Sequence, residues 1–343
     1  MKHQNNRRHF IRAASTLAVG IGLTKGLPVA FGARVKQSAQ RVGIIGLDTS
    51  HSIAFTKALN AASPSPELKG YTVTAAYPFG SRDIESSTKR IAGYTEEVKK
   101  MGVEIAGSIA DLLQKVDVVL LETNDGRPHL EQALQVLKAG KPMFIDKPVA
   151  GSLRDAVAIY AAAKKAGVPI FSSSSLRYMQ SVQDVVAGKI GKVNGVDAFS
   201  PATLEKTHPD LFWYGIHGVE ILYTLMGTGC TAVTRTSTKD TELVVGTWQD
   251  GRIGTFRGTR TGKHDYGGTA FGEKVNLSLG PFNGYDNLLV QIINFFRTGK
   301  VPVPAQETLE LYAFMEAADE SKRNKGAAVS LQSVLQQAGY TSS

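Results

Sequence analysis

A single cysteine, Cys230, among 343 residues excludes an intrachain disulfide framework, a cysteine-rich zinc site and an iron–sulfur cluster. Stability must come from packing. Long apolar runs are also lacking. The stretch from Ala13 to Leu23 has 11 residues, short of the roughly 20 that a membrane-spanning helix requires. Hydrophobic residues at 42% and charged residues at 20% exclude a wholly disordered or collagenous chain. Acid is missing from one region only. Residues 1–41 hold Lys2, Arg7, Arg8, Arg12, Lys25, Arg34, Lys36 and Arg41 with no Asp or Glu. Of the 39 bases, 31 remain from Val42 onward to face all 30 acids, so the net charge of +9 resides almost wholly in the leader. A nucleic-acid footprint is therefore not expected on the body of the chain.

What the leader does have is Arg7-Arg8 ahead of the Ala13–Leu23 stretch, followed by a Gly-, Ala- and Pro-rich region. This resembles a twin-arginine export signal, with cleavage expected near Ala30 to Ala33, so residues 1–33 read as the signal. The resemblance implies the twin-arginine export machinery as a partner, a periplasmic or other extracytoplasmic location, and a tightly held cofactor in a protein exported already folded.

From Arg41, strand-like and helix-like segments alternate: Arg41–Leu47, a helix from His51, Tyr71–Tyr77, a helix from Arg82, Val116–Leu121, a helix from Leu130 and Pro142–Ile145. Ser50 is the expected N-cap of the first helix. Such alternation predicts an α/β fold, a Rossmann-type doubly wound parallel sheet over 41–150. After Pro148 the runs Val193–Ser200, Cys230–Ser237, Glu242–Gln249 and Arg252–Gly258 alternate with period two. They predict a second, α+β domain over 151–325 with a large, mostly antiparallel sheet and a closing C-terminal helix.

The first strand ends in an incomplete phosphate turn. Gly43 and Gly46 are present, but counting from Gly46 the run is Gly46-Leu47-Asp48-Thr49-Ser50-His51, and two of the three fingerprint glycines are absent. Either the Asp48 carboxylate turns away or the phosphates are displaced. Thr49, Ser50 and His51 stand where a helix N-terminus would meet pyrophosphate. At the end of the second strand no acid awaits a ribose hydroxyl, whereas Ser81 and Arg82 offer a hydroxyl and a guanidinium. The turn alone leaves two readings open, a dinucleotide-binding domain or an α/β domain that binds something else or nothing; on the first, NAD or NADP is the expected cofactor, with NADP slightly favoured.

Phe144-Ile145-Asp146-Lys147-Pro148 completes a set of motifs with Val42 to Gly46, Thr123-Asn124 followed by His129, Arg177, Gly188 to Gly191, and Gly215-Ile216-His217. On these the chain resembles the glucose-fructose oxidoreductase/inositol dehydrogenase (Gfo/Idh/MocA) family over most of residues 41–325. The resemblance implies a nucleotide-binding domain, a C-terminal sheet used for homo-oligomer contacts (dimer or tetramer), and chemistry on sugars or polyols. It makes Lys147 and His217 the catalytic candidates. Asp146, Pro148, Thr123, Asn124 and His129 are implied around the cofactor, His129 as a residue that orders the loop. Arg177 is implied as a substrate contact. Asp146 replaces the family's usual Glu. Trp213 replaces an Asp usually found four residues before the histidine, leaving Asp210 or Tyr214 as substitutes, Trp213 as a stacking floor, or Trp213 as core. No metal ligand set has recognisable spacing.

The reading that follows is an exported NAD(P)-dependent oxidoreductase acting on a carbohydrate, polyol or sugar-acid hydroxyl carbon. Two alternatives stay open: a glycosidase that uses bound NAD for transient sugar oxidation, and a cofactor-free sugar-binding protein on a degenerate scaffold.

Overall fold

A computed structural model describes residues 40–340; the leader read from residues 1–33 lies outside them. The first half runs β1 (Gln40–Ile45), α1 (Ser50–Leu59), β2 (Tyr71–Tyr77), α2 (Glu85–Lys100), β3 (Glu104–Ile105), α3 (Ile109–Lys115), β4 (Val118–Leu121), α4 (His129–Lys138), β5 (Met143–Ile145), α5 (Leu153–Ala166) and β6 (Ile170–Ser172). All six strands pair in parallel in the order β3-β2-β1-β4-β5-β6. The order reverses between β1 and β4, the switch point outside which doubly wound sheets place their ligands. Helices on both faces explain the near-continuous apolar strands: every residue of Val118–Leu121 and Met143–Ile145 is buried. Helix boundaries follow local chemistry. Ser108 and Ser152 cap α3 and α5 by accepting the N–H of Asp111 and Asp155, and α5 stops at Gly167 with φ 66°. Thr49, rather than Ser50, caps α1.

A 3₁₀ turn, Ser175–Tyr178, then leads through α6 (Gln180–Val186), β7 (Val193–Pro201), α7 (Ile216–Met226), β8 (Cys230–Ser237), β9 (Thr241–Trp248), β10 (Ile253–Thr259), β11 (Gly267–Gly272) and β12 (Asn276–Leu279). The chain continues with α8 (Asp286–Thr298), α9 (Ala305–Arg323), β13 (Val329–Ser330) and α10 (Leu331–Gln337). The second sheet has the order β12-β11-β7-β10-β9-β8-β13, antiparallel except for the β7–β10 pair. The first sheet continues past Pro148, since β6 is its edge strand. Helix α8 also returns to it, burying Leu288, Leu289 and Ile292 with Val42, Ile44 and Phe144. No helix among the described residues is long and apolar enough to cross a membrane.

Candidate active site

Gly46 follows β1 with φ +103°, a conformation that L side chains rarely adopt, and a Cβ there would stand 2.3 Å from the Thr123 nitrogen. The β1 turn therefore lies directly against the loop after β4. Gly43 is different: it sits inside β1, where a Cβ would press on Leu112 and Val116, so it serves helix packing rather than the nucleotide contact expected of it. Asp48 is fully buried and its carboxylate accepts the N–H groups of Asn124 (2.9 Å) and Ser81 (3.1 Å). Burial pushes its pKa up, while those donors pull it back. The carboxylate is thus turned aside to join the loops after β2 and β4. The first turn of α1 carries no acid. A glycine turn, an acid-free helix N-terminus and a diverted Asp48 together fit a dinucleotide phosphate, despite the two absent glycines.

Above this turn lies a cavity of about 220 Å³. Thr49, Ser50 and His51 line it from α1 and its cap, Asn124 from the loop after β4 and Lys147 from the end of β5. Trp213, Tyr214 and His217 close it from the segment that leads into α7. The two catalytic candidates, 70 positions apart in the chain, share this space. Lys147 places its Nζ 5.8 Å from the Tyr214 ring centroid. The ring of His217 lies edge-on to Tyr214 and Tyr266 at 5.9 and 5.5 Å. Its Nδ1 is 2.8 Å from Ser174 Oγ, which also accepts the Leu176 N–H at 3.3 Å. The Nδ1–Ser174 hydrogen bond fixes the orientation of the ring, and Nε2 has no protein partner of its own among the described residues. Burial, then Lys147 and His51, push the His217 pKa well below the ordinary histidine value, so the ring is neutral near pH 7.

Two expected substrate contacts lie elsewhere. Arg177 is buried and ion-paired with Glu220 (2.8 Å) and Glu307 (2.5 Å), tying the 3₁₀ turn to α7 and α9; it does not line the cavity. Asp210 pairs with Arg235 (2.8 Å) and Lys322 (2.6 Å) and does not line the cavity either, so it does not replace the missing carboxylate. Tyr214, between Lys147 and His217, is the candidate in place. Trp213 is 7% exposed, packs on His208 with ring centroids 5.0 Å apart and lines the cavity, so it is core and wall at once.

Among the other expected cofactor residues, Thr123 spends its hydroxyl on Gln132 (3.1 Å). Buried His129 bridges the carbonyls of Thr123 (2.7 Å) and Val149 (3.2 Å), as an orderer of the loop would. Burial holds its pKa down against the pull of both carbonyls. Ser81 is buried and bonded to Asp83, whereas Arg82 is exposed. Neither lines the cavity. Pro148 is buried. Asp146 is fully buried, one oxygen accepting the Lys147 N–H at 2.8 Å.

Sequence reasoning missed Ser86 and Arg90 of α2, Ser175 and Leu176 of the 3₁₀ turn, and Tyr266, Phe282 and Tyr285, all of which line the cavity. Only long-range packing brings Tyr285 to the turn, where its hydroxyl lies 3.3 Å from Ser50 Oγ and its ring 4.3 Å from that of His51. Glu122, one residue past β4, was missed as well. It is fully buried beside Asp146, and burial with that neighbour pushes its pKa well above the carboxylate range.

A family model described as "Oxidoreductase family, NAD-binding Rossmann fold" (Gfo/Idh/MocA) matches residues 40–174. A 1,5-anhydro-D-fructose reductase from Ensifer adhaerens is 31% identical over 115 residues, 32% of this chain and 34% of that protein. The chain thus matches about a third of the length of that curated relative. Among solved structures, scyllo-inositol dehydrogenase from Lactobacillus casei, with bound NAD(H) and scyllo-inositol, superposes with a TM-score of 0.69 at 16% identity, covering 86% of this chain and 100% of that one. Myo-inositol 2-dehydrogenase from Lactobacillus plantarum gives 0.68 at 16%, covering 85% and 99%. At such identities these two structures show the shared fold. The likeness to the Gfo/Idh/MocA oxidoreductase family, with its NAD-binding Rossmann fold, thus lies at residues 40–174, and the solved structures extend the likeness in fold to most of the chain.

Proposed function

We propose that the chain is an exported NAD(P)-dependent oxidoreductase that transfers hydride between a nicotinamide and a carbinol carbon of a carbohydrate, polyol or sugar acid. The observation that carries this reading is the convergence of Lys147 and His217 on one cavity at the switch point of the first sheet. Gly46, Thr49, Ser50 and the Asn124 loop would hold the dinucleotide, which supplies the hydride acceptor or donor. The Lys147 ammonium hydrogen-bonds the substrate hydroxyl and stabilises negative charge on its oxygen. Nε2 of neutral His217 accepts the hydroxyl proton, with Ser174 holding the ring through Nδ1 and able to accept the Nδ1 proton of the tautomer this step requires. Trp213 and Tyr214 offer aromatic faces to a sugar ring, and Tyr214, next in sequence to the position of the absent carboxylate, stands beside both Lys147 and His217.

For the cofactor's distinction, α2 contributes Ser86 and Arg90 to the cavity, and neither position bears a carboxylate that would repel a 2′-phosphate. This supports acceptance of NADP and keeps it slightly favoured. The reading also retains residues 1–33 as a twin-arginine signal, 41–150 as the dinucleotide domain, 151–325 as the substrate domain, a periplasmic or other extracytoplasmic location, and a dimer or tetramer built through the second sheet.

The test is made on purified mature protein. Nicotinamide absorbing near 340 nm, or binding of NAD(H) or NADP(H), followed by net cofactor reduction with a sugar or polyol, is expected. Lys147→Ala should retain the fold and lose turnover about 10²-fold or more. Unchanged turnover in that variant would remove Lys147 from the mechanism. Absence of nicotinamide binding at millimolar concentration would overturn the enzyme reading altogether.

A further inference from the structure

Three ionisable side chains meet beside the cavity where the sequence announces no ligand set. His51 projects from the first turn of α1, Glu122 follows β4 and Asp146 follows β5, and β1, β4 and β5 are neighbours in the sheet. One ligand atom from each lies within 4.8 Å of the other two. His51 Nδ1 stands 3.0 Å from Asp146 Oδ2 and 3.8 Å from Glu122 Oε2. Both carboxyl groups are 0% exposed and His51 is 5% exposed. Yet the His51 Nδ1–Asp146 Oδ2 pair lacks hydrogen-bond geometry despite its 3.0 Å separation, and neither Glu122 oxygen receives a hydrogen bond. Buried carboxylates are as a rule hydrogen-bonded, paired or bound to metal. Two carboxyl groups turned toward one imidazole, with both oxygens of Glu122 left without a donor, point to a missing positive centre.

We propose that His51 Nδ1, Glu122 and Asp146 Oδ2 bind one divalent cation of the zinc or manganese class. Charge supports this, because a neutral imidazole and two carboxylates around a dication sum to zero, which a dry interior favours. Spacing supports it as well: ligands at about 2.0–2.2 Å from a tetrahedral ion stand about 3.3–3.6 Å apart, and the two measured separations bracket that range. An imidazole nitrogen with two carboxylate oxygens suits zinc or manganese better than calcium, which takes oxygen ligands. The supporting shell is in place. Asp146 Oδ1 accepts the Lys147 N–H, which aims Oδ2 at His51, while Phe55 and Tyr285 hold the imidazole from two sides at 5.2 and 4.3 Å. Three protein ligands leave a position for water, and His51 lines the cavity through which an ion can enter. The ion joins three strand ends and fixes Asp146, and through it the backbone of Lys147. Among the described residues no other group of His, Cys, Asp and Glu converges in this way.

The inference does not depend on the proposed hydride transfer, because its readout is the binding of an ion alone. The full chain, purified from cells grown with added zinc and manganese, should carry about one ion per chain by elemental analysis. Treatment with EDTA should lower its thermal midpoint, and Zn²⁺ or Mn²⁺ alone should restore it. Glu122→Gln keeps the side-chain volume and should weaken ion binding by more than about 100-fold, beyond the roughly 10–100-fold that loss of a supporting hydrogen bond costs. The same comparison separates this site from any ion held by His3 or His9 in the leader. Should Glu122→Gln fail to fold, His51→Gln and the titration of EDTA-treated wild type read the same site. The proposal is overturned by wild type that holds no stoichiometric ion and whose midpoint responds to neither cation, or by variants that bind as tightly as wild type.

Discussion

Replacing Arg177 by Met separates a structural role from a substrate contact. The guanidinium is 8% exposed and is shared by Glu220 of α7 and Glu307 of α9, while its own carbonyl accepts from Gln183 at 2.8 Å. Met fills most of the volume but strands two carboxylates. Glu220, 5% exposed, would keep only the Ser173 hydroxyl at 3.0 Å as a donor to the oxygen it now shares with Arg177. Breaking one side of a buried ion pair costs about 3–5 kcal/mol. With an unfolding entropy near 2 cal/mol/K per residue, that loss should lower the thermal midpoint by roughly 5–8 °C. The measurement is a melt followed by circular dichroism, run beside the Michaelis constant for whichever sugar or polyol is turned over. Adding Glu220→Gln to Arg177→Met should recover part of the midpoint, because one of the two stranded charges is then gone. A midpoint within about 1 °C of wild type together with a tenfold rise in KM would refute the reasoning and return Arg177 to the substrate.

Gly46→Ala places a methyl 2.3 Å from the Thr123 nitrogen at φ +103°, so it should cost about 3 kcal/mol or more and weaken nicotinamide binding, as read by a melt and a binding titration. Arg235→Met, which removes a fully buried guanidinium from Glu242, Asp319 and Asp210, should destabilise by about 3–5 kcal/mol; a midpoint shift under 2 °C would contradict it. Burial depresses the pKa of both His129 and His208 below the unfolded value. The unfolded chain therefore binds more protons below pH 6.5, and each histidine should remove up to about 1.4 kcal/mol of stability per pH unit as the pH falls. A flat stability profile between pH 7 and 5 would contradict this. Arg127 and Ser81 hold the Asp83 carboxyl at about 2, so its contribution is present above pH 4 and disappears as the pH falls through about 2; NMR titration of Asp83 reads it directly.

The alternation of apolar strands and amphipathic helices made the first sheet legible, because strands buried on both faces leave unbroken runs such as Val118–Leu121. Its edge was less legible. β6 lies past Pro148, and α8 joins from more than a hundred residues downstream, so sequence proximity gives no hint of either. Short elements with weak period, among them β3, β11, β12 and β13, left no pattern distinct from loop. At the site, Lys147, His217 and Asn124 stood in recognisable motifs and do line the cavity. Arg177 and Asp210 stood in equally suggestive places, yet each finds opposite charges that a linear reading cannot see: Glu220 and Glu307 for one, Arg235 and Lys322 for the other. Tyr266, Phe282 and Tyr285 reach the cavity through folding alone, and an isolated aromatic carries no signal of that.

The departures at the phosphate turn make physical sense as a coupled set. Where a second fingerprint glycine would let phosphate approach the backbone, Asp48 uses its carboxylate to tie Ser81 to Asn124, so the loops after β2 and β4 are held by a side chain instead. Where a third glycine would bring α1 close to the sheet, His51 inserts a ring, and that ring needs space and a partner. Both come from β5: Asp146 is one methylene shorter than the Glu of the family motif and sets its Oδ2 3.0 Å from the imidazole. Glu122 then adds a second carboxyl to the same pocket, an expense that an apolar residue after β4 would have avoided. A chain merely losing its cofactor turn would be expected to fill these positions with apolar packing. Three mutually facing ionisable groups, beside the cavity that holds Lys147 and His217, are what a turn retuned for use would contain.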